Sequence, residues 1–123
     1  MTRQDIFDFC RRCFGTEPDF PWQDTAAVLR HDDNKKWYGI VMEVDRRRLG
    51  LDGRGLMDVL NLKADPALIG MLRQKAGFYP AYHMNKEQWI TVALDGSVSD
   101  DKIKMLLDMS YQATAPKARK KKR

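Results

Sequence analysis

The sequence predicts an α+β fold in which helices pack on one face of an antiparallel sheet. Two observations indicate this class: segments with helical spacing of apolar residues bracket segments of alternating apolar residues, and the strands cluster instead of each being followed by a helix. The chain has 123 residues, of which 43% are hydrophobic and 32% are charged. That length and composition predict one packed domain that needs neither a disulfide nor a metal for stability.

The first predicted element is a helix over residues 3–14. Thr2 and Asp5 have the spacing of a capping box, and Gly15 is placed to end the helix. Apolar residues recur at i, i+3, i+4, i+7 and i+8, namely Ile6, Phe9, Cys10, Cys13 and Phe14. Because both cysteines fall within this stripe, buried packing explains them better than a redox pair.

Three strands are predicted next, near residues 26–31, over residues 36–44 and over residues 56–63. The turn beginning at Asp32 makes a hairpin of the first two, and a loop with three glycines precedes the third. This loop lacks the order and the ending of a phosphate-binding loop, so it is read as a structural turn.

A second helix is predicted to begin at Asp65-Pro66 and to close at Gly77. Residues 78–84 are then expected to be extended, and residues 89–94 alternate as a strand. Ser99 is the predicted cap of a last helix with two aspartates in its first turn.

The excess positive charge is concentrated at the C-terminus. The chain has 22 Lys and Arg residues against 17 Asp and Glu residues, a formal net charge of +5. Residues 1–112 form the predicted domain, and residues 113–123 form a predicted disordered tail because they lack large apolar side chains. The tail contains six basic residues, namely Lys117, Arg119, Lys120, Lys121, Lys122 and Arg123. Such a run favours polyanions through counterion release, and the alternative is a solvated, solubilising end.

No constellation in the sequence indicates catalysis or a metal site. His31 and His83 have no accompanying nucleophile motif, and they lack the spacing that a zinc site with the two cysteines would need. We therefore expect a protein that is not an enzyme and that uses neither a cofactor nor a metal.

Tryptophans lie beside basic residues at two places in the sequence. Strand alternation predicts that Trp37 and Trp89 each point away from the aliphatic residues of their own strand, so that one face of the sheet is aromatic and partly open. The alternative is that helices cover that face and the tryptophans belong to the core, as large aromatic residues usually do.

Five short blocks of sequence are distinctive. They are D-N-K-K-W-Y at 33–38, L-N-L-K at 60–63, Y-P-A-Y-H-M-N-K at 79–86, W-I-T-V at 89–92 and L-D-G-S at 94–97. Together they closely resemble the MmcQ/YjbR family of small bacterial proteins. The resemblance implies a fold similar to the frataxin-like (CyaY-like) proteins and a role as a double-wing DNA-binding protein. Carried over by position, the motif residues are Lys36, Trp37, Asn61, Lys63, His83, Asn85, Lys86 and Trp89.

Iron binding, which a frataxin-like fold would suggest, requires a cluster of carboxylates along the first helix. This chain has only Asp5 and Asp8 there, among arginines, so iron binding is rejected.

These observations predict a cytoplasmic, monomeric protein that binds DNA weakly and in a salt-dependent way, with no membrane partner. The residues assigned to this binding are Lys36, Trp37, Arg46, Arg47, Arg48, Lys63, Lys86, Trp89 and the six basic residues of the tail. The alternative is a protein or small-ligand interaction domain that uses the motif from His83 to Lys86 with Trp89.

Overall fold

The computed structural model describes residues 1–116 and contains, within that range, three α-helices and a five-stranded antiparallel sheet. The elements in chain order are α1 (Arg3–Phe14), β1 (Ala27–Arg30), β2 (Trp37–Asp45), a 3₁₀ helix (Arg46–Leu49), β3 (Leu56–Lys63), α2 (Pro66–Leu72), β4 (Phe78–Pro80), β5 (Trp89–Ala93) and α3 (Asp100–Thr114). The strand order in the sheet is β1-β2-β3-β5-β4. The predicted α+β class with an antiparallel sheet is confirmed.

The helix ends follow the local signals in the sequence. At the start of α1 the Thr2 hydroxyl accepts the Asp5 N–H at 3.1 Å, and the Asp5 carboxylate accepts the Thr2 N–H at 2.9 Å. Asp65 and Ser99 cap α2 and α3 in the same manner, each accepting a backbone N–H of the first turn. The predicted starts of all three helices are therefore confirmed.

The end of α2 differs from the prediction. The helix stops at Leu72, and Gly77 instead occupies the turn into β4 with φ of 90°. A Cβ at this position would lie 2.5 Å from a methyl carbon of Val98. Gly77 is therefore required by a left-handed turn that packs against the loop between β5 and α3, not by the helix end.

The boundary between domain and tail expected at residue 112 stays a prediction, although the last helix passes that residue. α3 continues to Thr114, whose hydroxyl lies 2.9 Å from Nε2 of His31 in the interior. The last helical turn is thus fixed by a partner far away in sequence. The six basic tail residues predicted to bind polyanions lie outside the described residues.

The sheet has two unlike faces. The face that we call the helix-covered face carries Val41, Leu60 and Leu62, and the buried residues of α1, α2 and α3 pack against it. The opposite face, here called the second face, holds a smaller cluster of Val44, Met57, Val59 and Ala93. No residue of an α-helix contributes to this second cluster within residues 1–116, and the 3₁₀ segment covers part of it through Leu49. The predicted packing of the helices on one face is confirmed.

The two edges of the sheet are both short. At the β1 edge, Asp19 exchanges backbone hydrogen bonds with Val28 at 2.7 and 3.0 Å. At the other edge, β4 has three residues and ends at Pro80.

Candidate functional site

A β-bulge in β2 decides which side of the sheet Trp37 faces. Leu29 pairs with Gly39, but Arg30 pairs with Trp37, so Tyr38 is an extra residue. Tyr38 packs in the core of the helix-covered face, and Trp37 lies on the second face with Arg30. The simple alternation used in the sequence prediction is therefore wrong for Trp37, because it assumed an unbroken strand.

Three of the predicted site residues lie together on the second face. Lys63 and Trp89 are directly opposite each other in the β3–β5 pairing, and opposed residues of antiparallel strands share a face. Trp37 lies at the same end of the sheet on β2, the other neighbour of β3. All three side chains are half-buried. Trp37 lies beyond the last β2–β3 pair, Gly39 with Leu62, at the end of the sheet where the Ser110 hydroxyl bridges the Tyr38 carbonyl and the Lys63 N–H.

The loop before β1 adds a third tryptophan to this surface. The ring of Trp22 meets the ring of Trp37 edge-on, with centroids 5.8 Å apart, and Trp22 is 51% exposed. Nothing in the local sequence pattern connects these two residues, which is why Trp22 was not predicted. We call Trp22, Trp37, Lys63 and Trp89 the tryptophan surface.

The arginine triplet predicted as one cationic group is divided by the 3₁₀ helix. Arg46 turns back on the loop before β3, where its Nε donates to the Asp52 carbonyl at 3.5 Å, and its Nη1 lies 4.0 Å from Sδ of Met57 in β3. Arg47 forms an ion pair of 3.2 Å with Asp45, and its hydrogen bond holds the pKa of that carboxyl below its ordinary value. Only Arg48 is directed to a cleft.

This cleft has a volume of about 430 Å³ and lies between the 3₁₀ helix and the segment that follows β4. It brings together three of the predicted residues, Arg48, His83 and Lys86. The other residues of its wall are Leu49, Tyr79, Pro80, Ala81 and Tyr82. No acidic side chain lines the cleft among the described residues.

Asn61 is fully buried and holds the wall of the cleft in place. Its Nδ2 donates to the Tyr82 carbonyl at 3.1 Å, and its Oδ1 accepts the Thr91 hydroxyl at 2.5 Å. The Tyr82 N–H donates in turn to Thr91 Oγ1 at 2.9 Å. Both backbone polar groups of Tyr82 are thus fixed by side chains that have 0% exposure. The motif residue Asn61 has a positioning role in the structure.

His83 follows immediately in a left-handed conformation, with φ of 61°. Its ring packs at an angle of 51° against the ring of Tyr82, with centroids 4.1 Å apart. A non-glycine residue is held in this region only when its surroundings impose it, and such residues concentrate at binding sites.

Asn85 and Lys86 have different roles although they are adjacent. The Asn85 side chain accepts the Glu87 N–H at 2.8 Å, and its carbonyl accepts the Trp89 N–H at 2.9 Å. Asn85 therefore forms the turn into β5, while Lys86 projects to the cleft. Lys36 lies apart from both the cleft and the tryptophan surface; it is exposed in the hairpin turn, and its N–H donates to Asn34.

The other groups considered for chemistry have structural surroundings. His31 is buried against Tyr38 and Tyr111. Cys10 is buried, and burial raises the pKa of its thiol to about 11, whereas Cys13 is exposed, contrary to the prediction that both are packed. No group of three or more metal-ligating side chains occurs among residues 1–116. No helix within the same residues is long and apolar enough to cross a membrane.

Comparison with known proteins gives one consistent family. The YjbR family model matches residues 12–113. The uncharacterized protein YyaQ of Bacillus subtilis is 43% identical over 116 residues, covering 93% of this chain and 98% of that protein. The uncharacterized protein YjbR of Escherichia coli K12 is 32% identical over 113 residues, covering 91% of this chain and 86% of that protein.

Solved structures of similar proteins have the same architecture. A crystal structure of a Pseudomonas syringae protein superposes with a TM-score of 0.91 at 44% identity, covering 94% of this chain and all of that one. A Deinococcus radiodurans protein with a DUF419 domain superposes with a TM-score of 0.74 at 28% identity, covering 98% of this chain and 83% of that one.

Proposed function

This chain belongs to the YjbR family, and we propose that it is a non-enzymatic DNA-binding protein that contacts phosphates and exposed bases with little sequence readout. The observation that carries the proposal is the tryptophan surface. It combines aromatic rings, on which bases stack, with a lysine that can contact phosphate.

The geometry favours unpaired bases over a duplex. In a duplex the faces of the bases are stacked on each other, so a protein ring reaches them only where the strand is open. Stacking on an aromatic side chain contributes about 1–3 kcal/mol per base and is tolerant of sequence. We therefore expect tighter binding to single-stranded DNA than to the corresponding duplex.

Affinity for the phosphates should be modest. Six of the 22 basic residues lie in residues 117–123, which leaves 16 basic against 17 acidic residues and a net charge of −1 for residues 1–116. Binding by the folded part therefore depends on the local arrangement of Lys63 with its neighbours, and the tail adds an attraction that is independent of sequence.

The direct test is fluorescence anisotropy of a labelled oligothymidine strand titrated with the full chain at low and at moderate salt. We expect binding at low salt that weakens steeply as salt is added, and weaker binding to a duplex of the same length. Absence of binding at low salt, or binding indifferent to salt, would end the proposal.

Two variants locate the contact. Lys63→Gln and Trp89→Phe should each weaken binding several-fold, because one removes a phosphate contact and the other reduces the stacking area. Lys75→Gln is the matched control, since Lys75 is exposed in the turn before β4, away from the tryptophan surface. A chain ending at residue 116 should bind more weakly and should still distinguish Lys63→Gln from Lys75→Gln. Equal binding by the two variants would show that the folded part takes no part in binding.

A further inference from the structure

We propose that the cleft between the 3₁₀ helix and the segment after β4 is a second binding site, for a small phosphorylated molecule with a flat apolar body, of the nucleoside monophosphate class. This inference does not depend on DNA binding. It rests on the charge of the cleft, the nature of its walls and the way its wall is held.

The charge of the cleft fits a phosphate monoester. Arg48 and Lys86 are both exposed and line it, and neither has an ion-pair partner among residues 1–116. The neighbouring Arg47 differs, since Asp45 neutralises it at 3.2 Å. Two positive charges that form no ion pair among residues 1–116 match the two negative charges of a phosphate monoester, and arginine can hold two phosphate oxygens at once. The His83 ring adds a third group able to form a hydrogen bond at the rim.

The walls of the cleft fit a flat ring. Tyr79 and Tyr82 are half-buried and pack with Leu49 on the smaller apolar cluster of the second face. They form an aromatic and aliphatic surface directly beside the basic groups. A ligand that carried charge alone would leave this surface exposed to water, whereas a phosphorylated molecule with a planar ring covers both parts.

The size of the cleft limits the ligand to a small molecule. A volume of about 430 Å³ is available. Sites for drug-sized ligands occupy about 300–1,000 Å³, so the cleft accommodates one mononucleotide and not a folded chain.

The wall is preorganised. Asn61 and Thr91 fix the backbone of Tyr82 from beneath, and His83 is held in a left-handed conformation that few non-glycine residues adopt. These contacts fix the backbone from which the Tyr82 and His83 rings extend to the cleft. Binding then requires little ordering of this wall, which raises affinity for a ligand of matching shape.

The test is a titration of the isotopically labelled full chain, followed by the shifts of its backbone amide signals. The probes are adenosine 5′-monophosphate, adenosine and inorganic phosphate. We expect the monophosphate to cause saturable shifts at Leu49, Tyr82 and His83, and to bind at least tenfold more tightly than either of the other probes. Absence of saturable shifts there overturns the proposal, and so does adenosine or inorganic phosphate binding as tightly as the monophosphate.

Matched variants complete the test. Arg48→Gln and Lys86→Gln should each weaken binding of the monophosphate about tenfold, the value of one charge-assisted hydrogen bond. Arg47→Gln and Lys75→Gln each remove a positive charge from a residue that does not line the cleft, and should change binding less than twofold. Equal effects of Arg48→Gln and Arg47→Gln would show non-specific charge attraction and overturn the site. Lys63→Gln and Trp89→Phe should leave monophosphate binding unchanged, so failure of this proposal and failure of DNA binding are separate results.

Discussion

The two faces of the sheet are built from the same strands and have opposite roles. Neighbouring residues of β3 alternate between them: Leu60 and Leu62 lie under three helices, whereas Val59 and Asn61 lie under loops. The helix-covered face is mostly apolar, and the Ser110 hydroxyl of α3 donates to the Tyr38 carbonyl there. The second face contains buried hydrogen-bonding side chains, half-buried tryptophans and a cleft. The comparison teaches that one face of the sheet stabilises the fold, so the other can carry polar groups for binding.

The largest expected effect on stability comes from shortening a buried side chain of the helix-covered face. Leu60→Ala should lower the free energy of unfolding by about 3 kcal/mol, because Leu60 is fully buried and a cavity would remain under the helices. Val59→Ala, one residue away on the second face, should cost about 2 kcal/mol because fewer methyl groups are removed. Urea unfolding measures both values. If Leu60→Ala lowered the free energy of unfolding by less than Val59→Ala does, the assignment of the main core to the helix-covered face would be contradicted.

An intermediate effect is expected at the polar centre of the second face. Asn61→Ala should lower the free energy of unfolding by about 2 kcal/mol, since it leaves the Tyr82 carbonyl without its buried donor. The loss should be coupled to that of Thr91→Val, because Thr91 donates to Asn61.

A double-mutant cycle by urea unfolding gives this coupling. The Tyr82 amide, which donates to Thr91, should also exchange its proton faster in Thr91→Val than in the parent chain. Strictly additive losses would show that the two side chains act independently and that the network does not hold the cleft.

A smaller effect of opposite sign is expected at His83. His83→Gly should raise the free energy of unfolding by roughly 0.5 kcal/mol, because the relief of the left-handed strain exceeds the added entropy of the unfolded chain. Lys35→Gly is the matched control, since Lys35 has φ of 64° outside the cleft. Thermal unfolding should show a similar gain for both, while only His83→Gly should weaken monophosphate binding. A destabilised His83→Gly would indicate that the imidazole contributes more to packing than its exposure suggests.

The smallest effect on the free energy of unfolding is expected at Cys13, on the exposed side of α1. Cys13→Ser should change the free energy of unfolding by less than about 0.5 kcal/mol, because Cys13 is exposed. The two thiols should differ in reactivity at pH 8. Cys10, with a pKa of about 11, has a thiolate fraction of only about one in a thousand at that pH.

A disulfide reagent should therefore modify one thiol of the native chain quickly and the second only after denaturant is added. Raising the pH toward 11 should increase the thiolate fraction of Cys10, although burial still restricts access of the reagent. Fast modification of both thiols at pH 8 would contradict the packing of α1.

Much of this fold could be predicted from local sequence signals. The caps at Thr2, Asp65 and Ser99 fix where the helices begin, and the glycine loop before β3 and the helix start at Asp65-Pro66 after it bound that strand. The bulge at Tyr38 could not be predicted, because it depends on the register between two strands. The continuation of α3 to Thr114 depends on His31, which is 83 residues away in sequence.

The candidate site shows the same division. The resemblance identified Asn61 and His83, but it could not say that Asn61 is a buried support and that His83 lies at the cleft. Arg48 was predicted as one of three equivalent arginines, and only the 3₁₀ helix separates it from Arg47. Leu49, Tyr79 and Tyr82 were missed because they enter the cleft through tertiary contacts that no local spacing reveals.

The edges of the sheet have a consequence for the behaviour of the protein at high concentration. An exposed strand edge is a template on which another chain can add a strand and begin an aggregate. Here Asp19 already occupies the outward backbone groups of Val28 at one edge, and the other edge offers three residues ending in a proline that has no N–H to donate. The sheet therefore resists extension at both sides, which protects the chain against edge-to-edge aggregation even though no α-helix of residues 1–116 covers its second face.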